Sequence, residues 1–439
     1  MKVSQVLRNK LFWGLDLISL GPIRKNIRDI REGVEQYSTP KSVARRAELL
    51  SRLLRHARET TTFYRTYKDS LSIEDFPVVN KNLIRAQHDA FRSDKYQEKD
   101  CIPVLTSGST GSPLMVYQNK EKKIRNTADT IYFAGRANYR VGHRLYYVRL
   151  WNSIHPKGRL LARLQNLEMV NVLDLSDGYF EKLVSTWQKD RSEKVLMGYV
   201  SSFTQLCKYL DRIESPPLDC RISSIIAVAE TLTSYCKHSM EKYFKAPVVS
   251  RYSNTENGIL AQQSPGENAD FTINWSSYHI EIFDLEKDVP VEIGALGRIV
   301  ITDLFNYAMP MIRYDTGDVG FIECNEQGVP VLRNIQGRKM DMLYDTKGRV
   351  LTPSVVWQLD NYKNIRQFQL VQNSQKSYTI RLNVDENFES AGQIVQEFSR
   401  YFGDDAEILI ERTDEIPVLA SGKRRLVVNN FQIQDRSVH

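Results

Sequence analysis

The chain has 439 residues, and 60 Lys and Arg against 53 Asp and Glu give a formal net charge of +7. That length exceeds one small core, and 41% apolar with 26% charged residues excludes wholesale disorder or a collagen-like chain. Residues 1–60 hold 13 basic and 6 acidic side chains while the rest is balanced, so the excess marks one N-terminal segment and not a general affinity for nucleic acid.

The first apolar stretch covers residues 11–23. It is too short to cross a bilayer, contains Asp16 and has no small-residue cleavage site, so it fits neither a spanning helix nor a secretory signal. Lys2, Arg8 and Lys10 precede it, and Arg24, Lys25, Arg28 and Arg31 follow. The plain expectation is that Phe12, Trp13 and the leucines pack on the main domain while the cations stay in water. The alternative is peripheral contact of residues 1–35 with an anionic membrane face. Residues 41–67 read as a helix, with Leu49, Leu50, Leu53 and Leu54 at helical spacing. From about residue 100, β-rich runs at 102–105, 115–118, 144–150, 194–197, 222–227, 247–252, 279–283, 298–302 and 319–324 alternate with helical patterns such as 121–139 and 179–189. That alternation predicts an α/β fold with helix-flanked sheets. Past Gly337 the pattern becomes a compact α+β unit, with strands near 365–371, 378–384 and 407–411 and a helix near 391–401. The expected division is a basic extension at 1–40, a large domain at 41–336 and a small mobile domain at 337–439, hinged near 335–342.

Five scattered cysteines without a C-x-x-C pair argue against a disulfide framework or structural zinc and for a reducing cytoplasm. Seven histidines show no metal-ligand spacing, so no tightly held transition metal is expected.

The strongest local motif is Thr106-Ser107-Gly108-Ser109-Thr110-Gly111-Ser112-Pro113, between two candidate strands. Its glycines let backbone N–H groups approach a ligand and its hydroxyls add donors, which suits a phosphate chain. It is neither a Walker loop nor a dinucleotide turn, since Leu114 follows Pro113 and no G-K-[ST] is present. Further along come Tyr252-Ser253-Asn254-Thr255-Glu256, Tyr314-Asp315-Thr316-Gly317-Asp318, Gly337-Arg338-Lys339-Met340-Asp341 and Ser421-Gly422-Lys423-Arg424.

In this order and rough spacing, the set resembles the adenylate-forming superfamily. It is most similar to the branch of phenylacetate-CoA ligase and the CapK-type proteins of capsular polysaccharide loci. Leu53-Leu54-Arg55-His56-Ala57, Phe63-Tyr64-Arg65 and Phe76-Pro77-Val78-Val79-Asn80-Lys81 also look like that branch. The resemblance implies a large N-terminal nucleotide-binding domain with a small α+β domain on a hinge. It implies that Thr106, Ser107, Gly108, Ser109, Thr110 and Gly111 hold ATP phosphates, and that Tyr252, in the segment Ser253, Asn254 and Thr255, lies against adenine. Glu256 would bind Mg²⁺, Asp318 would take the ribose hydroxyls, and Arg338 would support the ribose. Lys423 would bridge the substrate carboxylate and the α-phosphate. Ala229-Glu230-Thr231 resembles an Ala-Glu step near the nucleotide. One departure stands out: Met340 occupies a hinge position where relatives carry Asp, which bears on a second transfer step and on CoA as its acceptor.

The resulting expectation is a cytoplasmic ligase working with ATP and Mg²⁺, acting at the inner membrane face if the basic segment docks there. It would activate a small carboxylic acid as acyl-AMP and pass it to a thiol such as CoA, an amine or a hydroxyl, in polysaccharide synthesis. Two alternatives stay open: an adenylyltransferase that leaves AMP on a coenzyme, and a catalytically silent nucleotide-binding subunit. Trp151, Tyr199 and Phe203 are candidate walls of the acyl pocket.

Overall fold

The computed structural model describes residues 2–67, 72–106, 114–151, 158–266, 270–335, 342–351, 353–417 and 424–431. One eleven-stranded sheet organises the large unit. Its parallel half orders Val248–Asn254, Ile222–Val228, Lys194–Tyr199, Arg144–Arg149 and Leu167–Asn171. Helices Arg159–Leu164, Asp177–Lys189, Val200–Arg212 and Ser234–Phe244 lie between these strands in the chain. Every residue of Lys194–Tyr199 is buried, as expected of a strand covered on both faces. At residue 254 the chain turns back, and the sheet continues antiparallel through Gly258–Gln262, Phe271–Ile273, Pro330–Arg333, Tyr314–Cys324, Gly297–Asp303 and Tyr278–Phe283. The α/β expectation holds.

The expected long helix over 41–67 is two pieces. Thr39 accepts the Ser42 amide and Pro40 opens helix Pro40–Thr60, which ends where Thr61 becomes extended and bridges to Ser93. Tyr64–Tyr67 is a separate 3-10 turn. Strands Leu167–Asn171, Gly258–Gln262, Phe271–Ile273 and Pro330–Arg333 were not anticipated; at three to five residues they are too short for an alternating pattern.

Past residue 342 a separate core forms around Leu370, Ile380, Ile394, Phe398 and Phe402, with the rings of Tyr378 and Phe402 stacked at 4.0 Å. A four-stranded sheet in the order Glu407–Arg412, Ser377–Val384, Ile365–Gln372, Val427–Asn429 carries helix Ala391–Phe402. The unit touches the large one through a partly buried ion pair, Lys208 to the buried Asp360, at 3.2 Å.

Two helices precede residue 40. Pro22–Glu35 packs Ile30 and Val34 against Ala128 and Phe133 of helix Lys120–Arg136, and Arg125 reaches back to Asp29 at 2.5 Å. Val3–Ile18 is different. The leucines expected to pack on the main domain, Leu11, Leu15, Leu17 and Leu20, are exposed instead, while Phe12 and Trp13 are half-buried. Several arginines of the region around helix Pro40–Thr60 make specific contacts. Arg46 lies 4.0 Å over the Tyr37 ring, Arg45 pairs with Asp29, and Arg52 donates to the Tyr307 hydroxyl at 2.8 Å.

Candidate active site

Val79 forms a parallel bridge with Tyr314: its N–H donates to Arg313 O at 2.9 Å, and the Asp315 N–H donates to Val79 O at 2.8 Å. That pairing sets the register of the residues that follow. Lys81 places Nζ 2.9 Å from Glu256 Oε1, and the Tyr314 hydroxyl donates to the same oxygen at 2.7 Å. Arg313, just before Tyr314, holds a left-handed backbone at φ +50, a strained conformation of the kind that clusters at functional sites.

Glu256 sits on the turn joining Val248–Asn254 to Gly258–Gln262 and is 2% exposed. Asn254 Oδ1 accepts the Asn257 amide at 2.8 Å to shape the turn, and Gln118 donates to Glu256 O at 2.9 Å. Beneath it, the Tyr278 hydroxyl donates to Asn257 O at 2.5 Å and accepts from Lys122 at 3.0 Å. Lys122 pairs with Asp303 at 2.6 Å, both fully buried. A buried charge is tolerable only when paired and hydrogen-bonded, so this network fixes the floor under Glu256.

The Tyr252 hydroxyl donates to Asp318 Oδ2 at 2.9 Å and lies 3.3 Å from Thr316 Oγ1. Thr316 Oγ1 also takes the Asp318 amide at 3.1 Å, with Gly317 between them at φ +78, a turn that favours glycine. Burial, and then the Asp318 charge, push the Tyr252 phenol well above its ordinary value. Burial, and then Glu256, do the same for Tyr314. Both phenols therefore stay protonated and serve as donors to carboxylates.

Thr106 follows the ribbon strand Ile102–Leu105, which pairs with Met115–Gln118. Its backbone N–H donates to Leu114 O at 2.9 Å and its hydroxyl accepts the Leu114 amide at 3.1 Å, closing the base of the loop between them. Ser107, Gly108, Ser109, Thr110 and Gly111 lie outside the described residues, as do Arg338, Met340 and Lys423. Arg424, immediately after Lys423, donates to Ile416 O at 2.9 Å and to Glu415 at 3.1 Å, so the base of that segment is held.

Other expected site residues do different work here. Glu230 accepts the Ser201 amide at 2.7 Å and its hydroxyl at 3.1 Å, stabilising the N-terminus of helix Val200–Arg212. Ser253 and Asn254 are half-buried and Thr255 is exposed at the turn. Of the candidate pocket walls, Phe203 is packed in the core beside Leu206 and Trp187, which removes it from any open wall. Tyr199 is buried against Tyr147, and Trp151 donates its indole N–H to Tyr147 O at 3.1 Å.

The sequence motifs assign no role to Lys81, Tyr314 or Lys122. The first two stand inside motifs that were recognised, but their meeting at Glu256 depends on chain crossings of 175 and 58 residues. No local pattern carries that.

A hard cation fits the donor set. Glu256 Oε1 is taken by Lys81 and Tyr314, whereas Oε2 takes no hydrogen bond from the described residues. One carboxylate oxygen plus phosphate oxygens is an ordinary Mg²⁺ environment. Among the described residues no group of three or more His, Cys, Asp or Glu could hold a metal alone.

Residues 343–430 match the model of the CapK C-terminal domain. Over 387 residues, covering 82% of this chain and 81% of the relative, the sequence is 24% identical to Protein CapK of Staphylococcus aureus. It is 25% identical over 403 residues to a phenylacetate-coenzyme A ligase of Pseudomonas putida, covering 87% and 84% of the two chains. The chain is thus similar over most of its length to CapK and to phenylacetate-CoA ligases. Its fold matches 2-hydroxyisobutyryl-CoA ligase in the postadenylation state with R3-HIB-AMP, at a TM-score of 0.71, 16% identity and coverage of 89% and 90%. It also matches ATP-bound MatB from Rhodopseudomonas palustris at 0.55, with 15% identity and coverage of 76% and 68%. The chain therefore shares the fold of these ligases, a large N-terminal and a small C-terminal unit.

Proposed function

We propose that the protein activates a carboxylic acid with ATP to an acyl-adenylate and passes the acyl group to a second nucleophile. The observation that carries this reading is the convergence of Lys81, Glu256 and Tyr314 beside the Tyr252–Asp318 pair, in a chain similar to acid–CoA ligases. Asp318, oriented by Tyr252 and by its own turn, is the acceptor for the ribose hydroxyls, and Tyr252 forms the adenine side. The hydroxyls and amides from Thr106 to Gly111 hold the phosphates, and Glu256 offers Oε2 to Mg²⁺. Bound there, Mg²⁺ supplies charge neutralisation on phosphate oxygens.

The carboxylate oxygen attacks the α-phosphorus, a new acyl–phosphate bond forms, and the bond to the bridging oxygen breaks to release pyrophosphate. Lys423, with Arg338 beside the ribose, offsets the negative charge gathered in that step. The acceptor then attacks the acyl carbon and AMP leaves. Solved relatives of the fold bind acyl-AMP and CoA, which supports CoA as the first acceptor to test. The likeness to CapK supports an acceptor in surface-polysaccharide synthesis as the finer alternative.

The test is carboxylate-dependent ATP–pyrophosphate exchange over a panel of aromatic, aliphatic and sugar-derived acids, with Lys423→Ala as control. Exchange that needs an acid, and falls by about a hundredfold or more in the variant, supports the reading. ATP binding without exchange identifies a silent subunit instead, and acid-independent AMP transfer to a coenzyme identifies an adenylyltransferase.

A further inference from the structure

Helix Val3–Ile18 is mounted with its polar side inward. At 100° per residue, Gln5, Asn9 and Asp16 define the side that meets the body. Gln5 Nε2 donates to Glu193 O at 2.8 Å, Asn9 Nδ2 donates to Val141 O at 2.9 Å, and Lys2 pairs with Asp190 at 3.2 Å. Asp16 is buried and accepts the amides of Ile23 and Arg24, at 2.9 and 3.3 Å, which ties the helix to the next one. Gly142, at φ +100, permits the close approach: a Cβ there would stand 2.3 Å from Gln5 O.

The opposite half carries Val3, Leu7, Leu11, Leu15 and Ile18, and Leu20 follows; these six are between 56% and 81% exposed. A helix of a soluble body normally buries that stripe. A contiguous aliphatic patch left in water marks an interaction surface.

Charge identifies the occupant. The helix's one acidic residue, Asp16, is buried on the inner side, while Lys10 stands exposed on the outer half. Alongside runs a groove of about 710 Å³ between this helix, Pro22–Glu35 and Lys120–Arg136. Arg24, Arg28, Arg31, Arg136 and Arg140 line it against a single carboxylate, Glu35. Trp13 lines the same groove, with the Arg24 guanidinium 5.1 Å from its ring centroid. An aliphatic ridge, an aromatic flank and a row of cations together match a helix lying in the plane of an anionic lipid interface. A second copy of this chain would instead bring two cationic margins together.

We propose that residues 3–20 lie in the headgroup layer of an anionic bilayer, with the aliphatic side chains inserted and the groove arginines against lipid phosphates. Lys10 extends along the apolar surface to keep its charge at the headgroups. Among the described residues no helix is long and apolar enough to cross a membrane, so the attachment is in-plane. The proposal does not depend on the adenylation reading.

The test uses the full chain and flotation on phosphatidylcholine vesicles with and without phosphatidylglycerol. The expected result is recovery on the anionic vesicles only, with release at high salt. Leu7→Glu, Leu11→Glu and Ile18→Glu together are expected to lower the bound fraction about tenfold or more. Arg28→Glu is expected to weaken binding to anionic vesicles by several-fold, at roughly one screened charge contact. All of these positions are exposed, and unchanged circular dichroism and thermal midpoint verify folding. No vesicle binding, or equal binding by wild type and the triple variant, overturns the proposal. A dimer in sedimentation velocity that the triple variant dissolves also overturns it, and assigns the face to a second copy.

Discussion

Two consecutive helices of similar length, Val3–Ile18 and Pro22–Glu35, solve opposite packing problems. Both are amphipathic and both are basic. The second buries Ile30 and Val34 in the large unit and sends its cations to the surface or to carboxylates. The first turns Gln5, Asn9 and Asp16 inward and leaves its aliphatic residues in water. Amphipathicity thus fixes that a helix has two faces, but partners decide which face is buried. Backbone carbonyls at Val141 and Glu193 needed donors, and the polar face of the first helix supplied them.

The comparison predicts a ladder of effects. Polar groups that are buried need their partners most. Lys122→Ala strands the Asp303 carboxylate at zero exposure and should cost about 3–5 kcal/mol, read as the midpoint of urea unfolding. A smaller shift than about 1 kcal/mol would mean that water or relaxation satisfies Asp303. The two helices should then separate cleanly. Ile30→Ala should cost about 2–5 kcal/mol, whereas Leu11→Ala should stay within about 0.5 kcal/mol. Equal losses would break the contrast.

Asp16→Ala removes the acceptor for two amides at the start of the second helix and should cost about 1 kcal/mol in thermal unfolding. The weakest effect concerns the anchor of the first helix. Burial pushes the Asp190 carboxyl up, but the Ser192 hydroxyl and amide and Lys2 pull it down further, to about 2. A depressed carboxylate contributes stability above its unfolded value of about 4 and loses it as pH falls toward about 2. The amide protection factors of residues 3–18, taken against the intrinsic exchange rate at each pH, should therefore be flat from neutrality to about pH 4 and fall below it. Asp190→Asn should show the lower protection already at pH 7.

Much of this was legible in the sequence, for identifiable reasons. The buried parallel strands are largely apolar runs such as 195–199, and the motifs around Tyr252, Glu256 and Asp318 are local clusters on strand ends and turns. What escaped was long-range. Lys81 reaches Glu256 only because Val79 bridges Tyr314, and Lys122 reaches Asp303 across the core. Glu230 has the look of a ligand residue, yet the helix start at Ser201 uses its carboxylate. Phe203, expected at a pocket wall, is core because Gly198 leaves room for its ring: a Cβ there would stand 3.0 Å from Phe203 Cζ. The orientation of the first helix was misread for the same reason, since hydrophobic spacing carries no information about a neighbour's unpaired carbonyls.

The central claim is that a carboxylate oxygen forms a bond to the α-phosphorus of ATP in the corner that holds Glu256, Tyr252 and Asp318. Its most direct test uses the acid that drives the strongest pyrophosphate exchange, labelled with ¹⁸O in the carboxylate, followed by transfer to the acceptor. The expected result is one ¹⁸O atom in the released AMP, at a rate that falls about a hundredfold in Asp318→Ala. Unlabelled AMP, or label in inorganic phosphate alongside ADP, would contradict it.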